Sequence, residues 1–217
     1  MIGEILSDLK FNQPQVLLTV LVTSDGLPIT YEVFPGNTYE GNTLQKAIEF
    51  ICEKYRNKEL FFVSDSGMLN QNNISYLETN DIKYIIGARL KNTPKHVKDK
   101  ILTINKGEDE ESFITIELTK SKNLIASYKS NRAEKNKKDR EKAILRLKEK
   151  LKTSKNPKDL LNNFGHKKFI EITGKTTITI NQEKIQLEEK WDGLHGVITN
   201  VNTLQAKEIY SQYRGRS

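Results

Sequence analysis

One stretch near the start, QVLLTVLVTSDGLPITYEVF, constrains the fold more than any other part of the sequence. Val16 to Val22 is a nearly unbroken apolar run, which is typical of a strand covered on both faces. Asp25-Gly26 is a dipeptide that favours a tight hairpin turn. After the turn, apolar residues alternate with more polar ones up to Val33, the pattern of a half-buried strand. The stretch therefore predicts a β-hairpin.

The segments after the hairpin extend this pattern into a mixed α/β arrangement. Apolar residues from Leu44 to Tyr55 recur at helical spacing, so they predict an amphipathic helix. A short apolar strand, Leu60 to Val63, is followed by a helix over Asn72 to Thr79 and by a second buried strand, KYIIGAR. The first 92 residues thus read as one layered α/β unit.

Residues 93–190 have a different character and predict a β-rich insertion. Five strand-like stretches surround one charged helix, which runs from about Arg132 to Lys152 and carries a narrow apolar stripe (Ile144, Leu147 and Leu151). The strand-like stretches are Ile101 to Ile104, Phe113 to Leu118, Leu124 to Tyr128, Phe169 to Thr173 and Thr176 to Ile180. Residues 191–217 return to an apolar strand and a helix over Leu204 to Tyr213, which completes the α/β unit.

The positive charge of the chain is local. The formal net charge is +7, but residues 129–155 hold twelve Lys/Arg and four Asp/Glu, so this segment accounts for all of the excess. Such a segment favours a polyanionic partner, because each neutralised phosphate releases counterions. Arg132, Lys135, Lys138 and Arg140 are candidate contacts to the phosphates of such a partner, although an ordinary solvated helix face would look the same.

Other classes of protein are disfavoured by composition. Cys52 is the single cysteine, so neither a disulfide framework nor a CxxC-type metal site is expected. No secretory signal opens the sequence, and no apolar run reaches the length of a membrane span. These observations predict a soluble protein of the reducing cytoplasm.

Asp65 is the most suggestive single residue. It follows a buried strand, and the carboxyl ends of strands are where α/β sheets bind ligands and metals. Hard cations such as Mg²⁺ prefer carboxylate oxygens. The alternative is that Asp65 accepts a hydrogen bond from the backbone of its own turn. Spacing alone favours that structural role.

Several motifs together resemble the insertion-sequence transposases of the DDE class. In chain order they are FNQPQVLLTVLVTSDGLPITYEVFPGNTYEGNTL, FFVSDSGM, YIIGARLKN, WDGLHGVITN and AKEIYSQYRGR, and they cover nearly the whole chain. The resemblance is to the bacterial branch with a β-rich insertion between the second and third catalytic carboxylates. It implies a ribonuclease-H-like mixed sheet, in which three carboxylates hold two Mg²⁺ or Mn²⁺ ions and DNA is cut and joined by phosphoryl transfer.

The resemblance assigns roles to individual residues. Asp65 matches the second catalytic aspartate and would be a metal ligand, which reverses the preference drawn from spacing. The third carboxylate of the family lies on a helix in the motif Tyr, two residues, Arg, three residues, Glu. Tyr213 and Arg216 match its first two members and would contact DNA phosphates.

The sequence also departs from the family pattern. The glutamate of the helix motif would lie beyond Ser217, and the residues before Val16 leave no room for the strand that carries the first aspartate. The expectation is therefore a chain shortened at both ends, with the first strand and the end of the last catalytic helix missing. One carboxylate cannot hold two metal ions, and a sheet without its central strand exposes unpaired backbone. Poor solubility, or a partner that completes the sheet, is expected.

Three functional hypotheses follow. The first is a transposase by descent that is inactive as this chain. The second is a non-catalytic module that binds DNA or an intact transposase, or assembles as a homo-oligomer. The third is a ribonuclease-H-like nuclease that recruits other carboxylates, for which Glu40, Asp192 and Glu208 are the candidates.

Overall fold

A computed structural model of the chain describes residues 2–6, 16–22, 28–35, 48–49, 53, 61–68, 70–107, 111–153, 168–173 and 177–215. The chain divides into two compact units. The first unit comprises Met1–Lys98, Phe113–Ala126 and His195–Ser217. The second unit comprises Asp99–Ser112 and Ser127–Leu194.

The described residues include ten strands and five α-helices with described bounds, and residues 48, 49 and 53 are also helical. The strands are β1 (Ile2–Leu6), β2 (Val16–Val22), β3 (Pro28–Pro35), β4 (Phe61–Ser64), β5 (Lys83–Gly87), β6 (Ser112–Thr119), β7 (Lys122–Tyr128), β8 (Ile170–Thr173), β9 (Thr177–Ile180) and β10 (Leu194–Thr199). The helices are α1 (Gln71–Thr79), α2 (Lys95–Ile101), α3 (Ser130–Thr153), α4 (Gln182–Glu189) and α5 (Ala206–Arg214). Short 3-10 turns cover Ser66–Met68 and Leu90–Asn92.

The predicted hairpin is confirmed in its two strands. β2 and β3 pair antiparallel, with Val16 opposite Pro35 and Val20 opposite Tyr31. The Asp25-Gly26 turn lies outside the described residues.

A strand precedes the hairpin, so the expectation that no room remained for one is wrong. β1 pairs antiparallel with β2 and parallel with β4, which places it inside the sheet. Five residues suffice because strands in globular proteins average only five or six residues. The sequence argument had looked for an aspartate-bearing strand, whereas β1 carries Glu4 as its acidic residue.

The main sheet has eight strands in the order β3-β2-β1-β4-β5-β10-β7-β6. β4 and β5 run parallel, with Ser64 opposite Ile86, and β10 pairs antiparallel with β5. β6 and β7, which sequence analysis assigned to the insertion, extend this sheet. The carboxyl ends of β4 and β5 therefore lie side by side near its middle.

Helices cover both faces of these central strands in the first unit. On one face, Ile74 and Leu77 of α1 pack with Phe62 and Tyr84. On the other face, Ile209 and Tyr210 of α5 pack against the next residues along the strands, Val63 and Ile85. This two-sided burial explains the apolar runs Phe61 to Val63 in β4 and Tyr84 to Ile86 in β5.

Ile48, on the predicted helical stripe from Leu44 to Tyr55, is helical and buried in the α1 cluster. Cys52 lies outside the described residues.

The second unit contains the charged helix α3, whose predicted apolar stripe is confirmed. Leu147 is fully buried with Phe169 and Ile170, and Ile144 and Leu151 pack against the same cluster. β8 and β9 pair antiparallel beside it. Ile185 of α4, a helix that the sequence pattern did not predict, completes this core.

One local expectation is wrong. The strand expected at Ile101 to Ile104 is instead the end of α2 and a turn, because Pro94 starts a helix whose first turn is closed by the Val97 N–H and the Pro94 carbonyl (3.1 Å).

The helix expected over Leu204 to Tyr213 is confirmed as α5, Ala206–Arg214. At its end Gly215 donates its N–H to the Ser211 carbonyl (2.9 Å).

Within the described part of the chain, no helix combines the length and the apolar character needed to cross a membrane.

Candidate functional site

Asp65 lies directly after β4, with its side chain exposed. Its Oδ1 accepts a hydrogen bond from the Gly67 N–H at 2.7 Å. The structural alternative considered for Asp65, a bond to the backbone of its own turn, is therefore present. Its Oδ2 has no partner among the residues that the structure describes, so one carboxylate oxygen is held while the other faces a ligand or solvent.

Gly67 allows this geometry. A Cβ added at Gly67 would lie 2.9 Å from Oδ1 of Asp65, closer than real Cβ atoms approach an oxygen. Ser66–Met68 forms the tight 3-10 turn that brings the Gly67 N–H back to the carboxylate. The Ser-Asp-Ser-Gly-Met sequence after β4 thus fixes the direction of the Asp65 side chain.

Gly87, at the end of β5, is where the Asp65 turn and α5 meet. A Cβ on Gly87 would lie 2.7 Å from the Tyr213 hydroxyl oxygen, 2.9 Å from the Ser66 nitrogen and 3.2 Å from the Asp65 carbonyl carbon. These three atoms therefore surround one point that only glycine leaves open. The backbone of Asp65 and the hydroxyl of Tyr213, the two residues that the family resemblance had linked, therefore both approach Gly87.

Tyr210 anchors α5 in this position. Its side chain is fully buried, and its hydroxyl lies 2.9 Å from the His195 carbonyl and 3.1 Å from the Ile125 carbonyl. The helix begins with a capping box, in which the Gln205 N–H donates to Oε2 of Glu208 at 2.7 Å. Tyr213 lies one turn after Tyr210 on the same side of α5. The anchored helix therefore places the Tyr213 hydroxyl beside Gly87.

An aromatic group surrounds Tyr213. The His195 ring lies 5.3 Å from the Tyr213 ring and 5.9 Å from the Tyr210 ring, and the Arg214 guanidinium lies 5.0 Å from the Tyr210 ring. Sequence analysis did not identify His195. The signal that could have found it is its position within the motif WDGLHGVITN, on the apolar strand β10.

The described residues hold no group of three or more His, Cys, Asp or Glu side chains that could bind a metal ion. Among the recruits considered, Asp192 binds Arg140 (2.6 Å) and Glu208 caps α5. Glu40 lies outside the described residues. Asp65 therefore fits a divalent cation as one ligand, and the described residues do not complete the set.

The candidate DNA contacts on α3 fall into two groups. Arg132, Lys135 and Lys138 are exposed, and Lys138 lies 3.8 Å from Glu134 in a solvent-exposed pair. Arg140 differs, and its assignment as a DNA contact is corrected: its side chain is 8% exposed. It pairs with Asp192 at 2.5 Å and with Glu189 at 3.4 Å, so it serves the fold. Arg216 lies outside the described residues.

Comparison with known proteins shows the family of the chain. The transposase DDE domain family matches residues 13–217, a range that includes Asp65, Gly87 and Tyr213 and begins after β1. Neither the search of curated proteins nor the search of solved structures found a match. Because the family match spans most of its length, the chain belongs to the transposase DDE domain family.

Proposed function

We propose that this chain acts in DNA transposition, and that Asp65 is a carboxylate of metal-dependent cleavage and joining of DNA. The observation that carries the proposal is the approach of the Asp65 backbone and the Tyr213 hydroxyl to Gly87, at the carboxyl ends of two parallel strands. Ligands of α/β sheets bind at this end of the strands. The family match supplies the chemistry that such a site would perform.

The strand order supports the ribonuclease-H-like architecture that the resemblance implies. β3, β2 and β1 are antiparallel neighbours, and β1, β4 and β5 are parallel neighbours. In this proposal the second unit is the insertion, although its described residues are mostly helical and hold two short strands, β8 and β9. Its boundaries differ from residues 93–190, since β6 and most of β7 belong to the first unit.

The metal proposed for this site is Mg²⁺ or Mn²⁺. Such ions prefer carboxylate oxygens and usually keep waters and substrate phosphates as further ligands. When bound, the ion would supply charge stabilisation at the reacting phosphate. Asp65 would bind it through Oδ2 while the Gly67 N–H holds Oδ1 in place.

Tyr213 would contact a DNA phosphate beside Asp65. Its hydroxyl and the Asp65 turn both approach Gly87. A hydroxyl can donate a hydrogen bond to a phosphate oxygen. Arg216 has the same role in this proposal, from the family motif. Arg132 and Lys135 would hold DNA through their exposed charges.

A second function, binding DNA without cutting it, is supported by the single carboxylate at the described site. We propose that this chain alone binds DNA and does not cleave it, and that cleavage requires carboxylates from outside the described residues or from a partner. The partner in that case is an intact transposase or a second copy of the chain. A chain of this kind would interfere with active transposase assemblies.

The experiment is Mg²⁺-dependent nicking of labelled duplex DNA that contains the ends of the element, measured beside DNA binding. Wild-type protein is compared with Asp65→Asn and with Asp81→Asn, an exposed aspartate on the turn before β5. Binding without nicking in all three proteins supports the non-cleaving chain. Nicking that Asp65→Asn abolishes and Asp81→Asn retains supports the catalytic role and contradicts the non-cleaving chain. Nicking that Asp65→Asn retains, or no DNA binding at all, overturns the proposal.

A further inference from the structure

The cations of α3 are not spread evenly around the helix. Five of them lie on one face, at spacings of three, ten, fourteen and eighteen residues from the first, which place them within about 80° of one another at 3.6 residues per turn. All five are exposed. We call this set the basic stripe: Arg132, Lys135, Lys142, Arg146 and Lys150. Asp139 is the acidic residue on the same face.

The opposite flank of α3 carries less excess charge. It holds four lysines and two glutamates: Lys137, Lys138, Lys148, Lys152, Glu134 and Glu141. Glu149 lies seven residues after Lys142, so it borders the basic stripe at 3.6 residues per turn. Lys138 is paired with Glu134 at 3.8 Å, which uses part of its charge inside the helix. The basic stripe therefore holds more of the excess positive charge of the segment than this flank does.

Packing within the second unit holds the basic stripe outward. Leu147 is fully buried among apolar residues, and Arg140 is fixed by Asp192 and Glu189 on the same side of the helix. Asn136, one turn before Arg140, accepts a hydrogen bond from the Gly193 N–H at 3.1 Å. These contacts fix the rotation of α3 about its axis, so the stripe is a preformed surface.

We propose that the basic stripe binds the phosphate backbone of duplex DNA, independently of base sequence. The stripe spans eighteen residues, or about 27 Å at 1.5 Å per residue. Duplex DNA presents one negative charge about every 1.7 Å along its axis, so a row of cations of this length faces many phosphates. The inference rests on the proposed function for its choice of DNA. It adds Lys142, Arg146 and Lys150 as contacts and removes Lys138.

The test measures binding of a fluorescein-labelled 30-base-pair duplex of random sequence at several salt concentrations. Two triple variants of the full chain are compared: Lys135→Gln, Lys142→Gln and Lys150→Gln on the stripe, and Lys138→Gln, Lys148→Gln and Lys152→Gln on the opposite flank. Both sets remove three charges from exposed lysines of the same helix. Their net charges and helix propensities are therefore equal, and only the face differs.

In the stripe variant the magnitude of the slope of log K against log salt should fall by about two to three, since each phosphate contact contributes about 0.9 to that magnitude. The flank variant should change the slope by less than about one. An equal fall of the slope in both variants, or no fall in either, would overturn the proposal that the basic stripe binds DNA. If a triple variant loses its far-UV circular dichroism, the corresponding single variants are measured, and the same ranking by face is required. The test reads binding alone, so its outcome is separate from that of the nicking assay.

Discussion

The surroundings of Asp65 and of Arg140 show two opposite uses of a charged residue. Asp65 is exposed after β4, and a single backbone N–H holds one of its oxygens. Arg140 is almost buried in the second unit and is matched by Asp192 and Glu189. Sequence reasoning had marked both as functional. The difference between them is burial with a partner, which a linear pattern does not reveal.

Burial decides what each charge can do. Taking a guanidinium out of water is costly unless carboxylates compensate its charge. Arg140 therefore needs its two partners for the fold, and its guanidinium is unavailable to DNA. An exposed carboxylate keeps most of its hydration, so it can exchange water for a cation or a phosphate-bound metal. The comparison predicts that substitutions near Arg140 affect stability, while substitutions at Asp65 affect ligands.

The largest expected effect is at Arg140. Arg140→Ala leaves Asp192 and Glu189 without their partner and removes packing, so the free energy of unfolding should fall by about 3–5 kcal/mol. Urea unfolding followed by circular dichroism measures it. Arg140→Met, which removes the charge but keeps the length, should cost less. If the free energy of unfolding of Arg140→Ala fell by less than about 1 kcal/mol, the structural role of Arg140 would be contradicted.

The next effect is at Gly87. A methyl group there would lie 2.7 Å from the Tyr213 hydroxyl and 2.9 Å from the Ser66 nitrogen, so Gly87→Ala must displace α5 or the Asp65 turn. We expect a loss of about 1–3 kcal/mol in thermal or urea unfolding. Gly107→Ala is the matched control, because a Cβ at Gly107 meets nothing within 4 Å. Equal stability of the two variants would contradict the close approach.

A smaller effect is expected at Tyr210. Tyr210→Phe keeps the buried ring but removes the hydroxyl that bonds the His195 and Ile125 carbonyls. The free energy of unfolding should fall by about 1 kcal/mol, with α5 less firmly attached. Amide hydrogen exchange along Ala206–Arg214 is the sensitive measurement. Unchanged protection of this helix would show that the hydroxyl does not anchor it.

The smallest effect on stability is expected at Asp65 itself. Asp65→Asn keeps an oxygen that can accept from the Gly67 N–H, and the side chain is exposed, so unfolding should change by no more than about 0.5 kcal/mol. Urea unfolding is compared with that of Arg140→Ala. If Asp65→Asn lowered the free energy of unfolding as much as Arg140→Ala does, Asp65 would be a structural residue like Arg140.

Much of the fold could be predicted because apolar periodicity survives in the sequence. β2 matches the predicted strand, and α3 extends the predicted helix by two residues at the start and one at the end. The failures have physical causes. α4 has little apolar pattern and depends on Asn181, whose side chain accepts from the Lys184 N–H, for its start. β1 is short and depends for its place on pairing with β2 and β4, which no local pattern encodes.

The site could be predicted only through motifs. Spacing after β4 identified Asp65 but favoured a structural role, and the structure shows that the structural bond and an exposed oxygen coexist. Tyr213 was found by its family motif. Gly87 and His195 were missed, because a close approach between β5 and α5 depends on tertiary packing. Arg140 was assigned wrongly since its partners are about fifty residues away.

The most direct test of the central claim is metal-directed cleavage of the polypeptide. Fe²⁺ replaces Mg²⁺ in the presence of a short DNA duplex, ascorbate and peroxide, and the cut sites are mapped by mass spectrometry. The account predicts cuts within a few residues of Asp65 in the wild-type chain, which Asp65→Asn removes and Asp81→Asn retains. Cuts that persist in Asp65→Asn, or that occur only elsewhere in the chain, would contradict it.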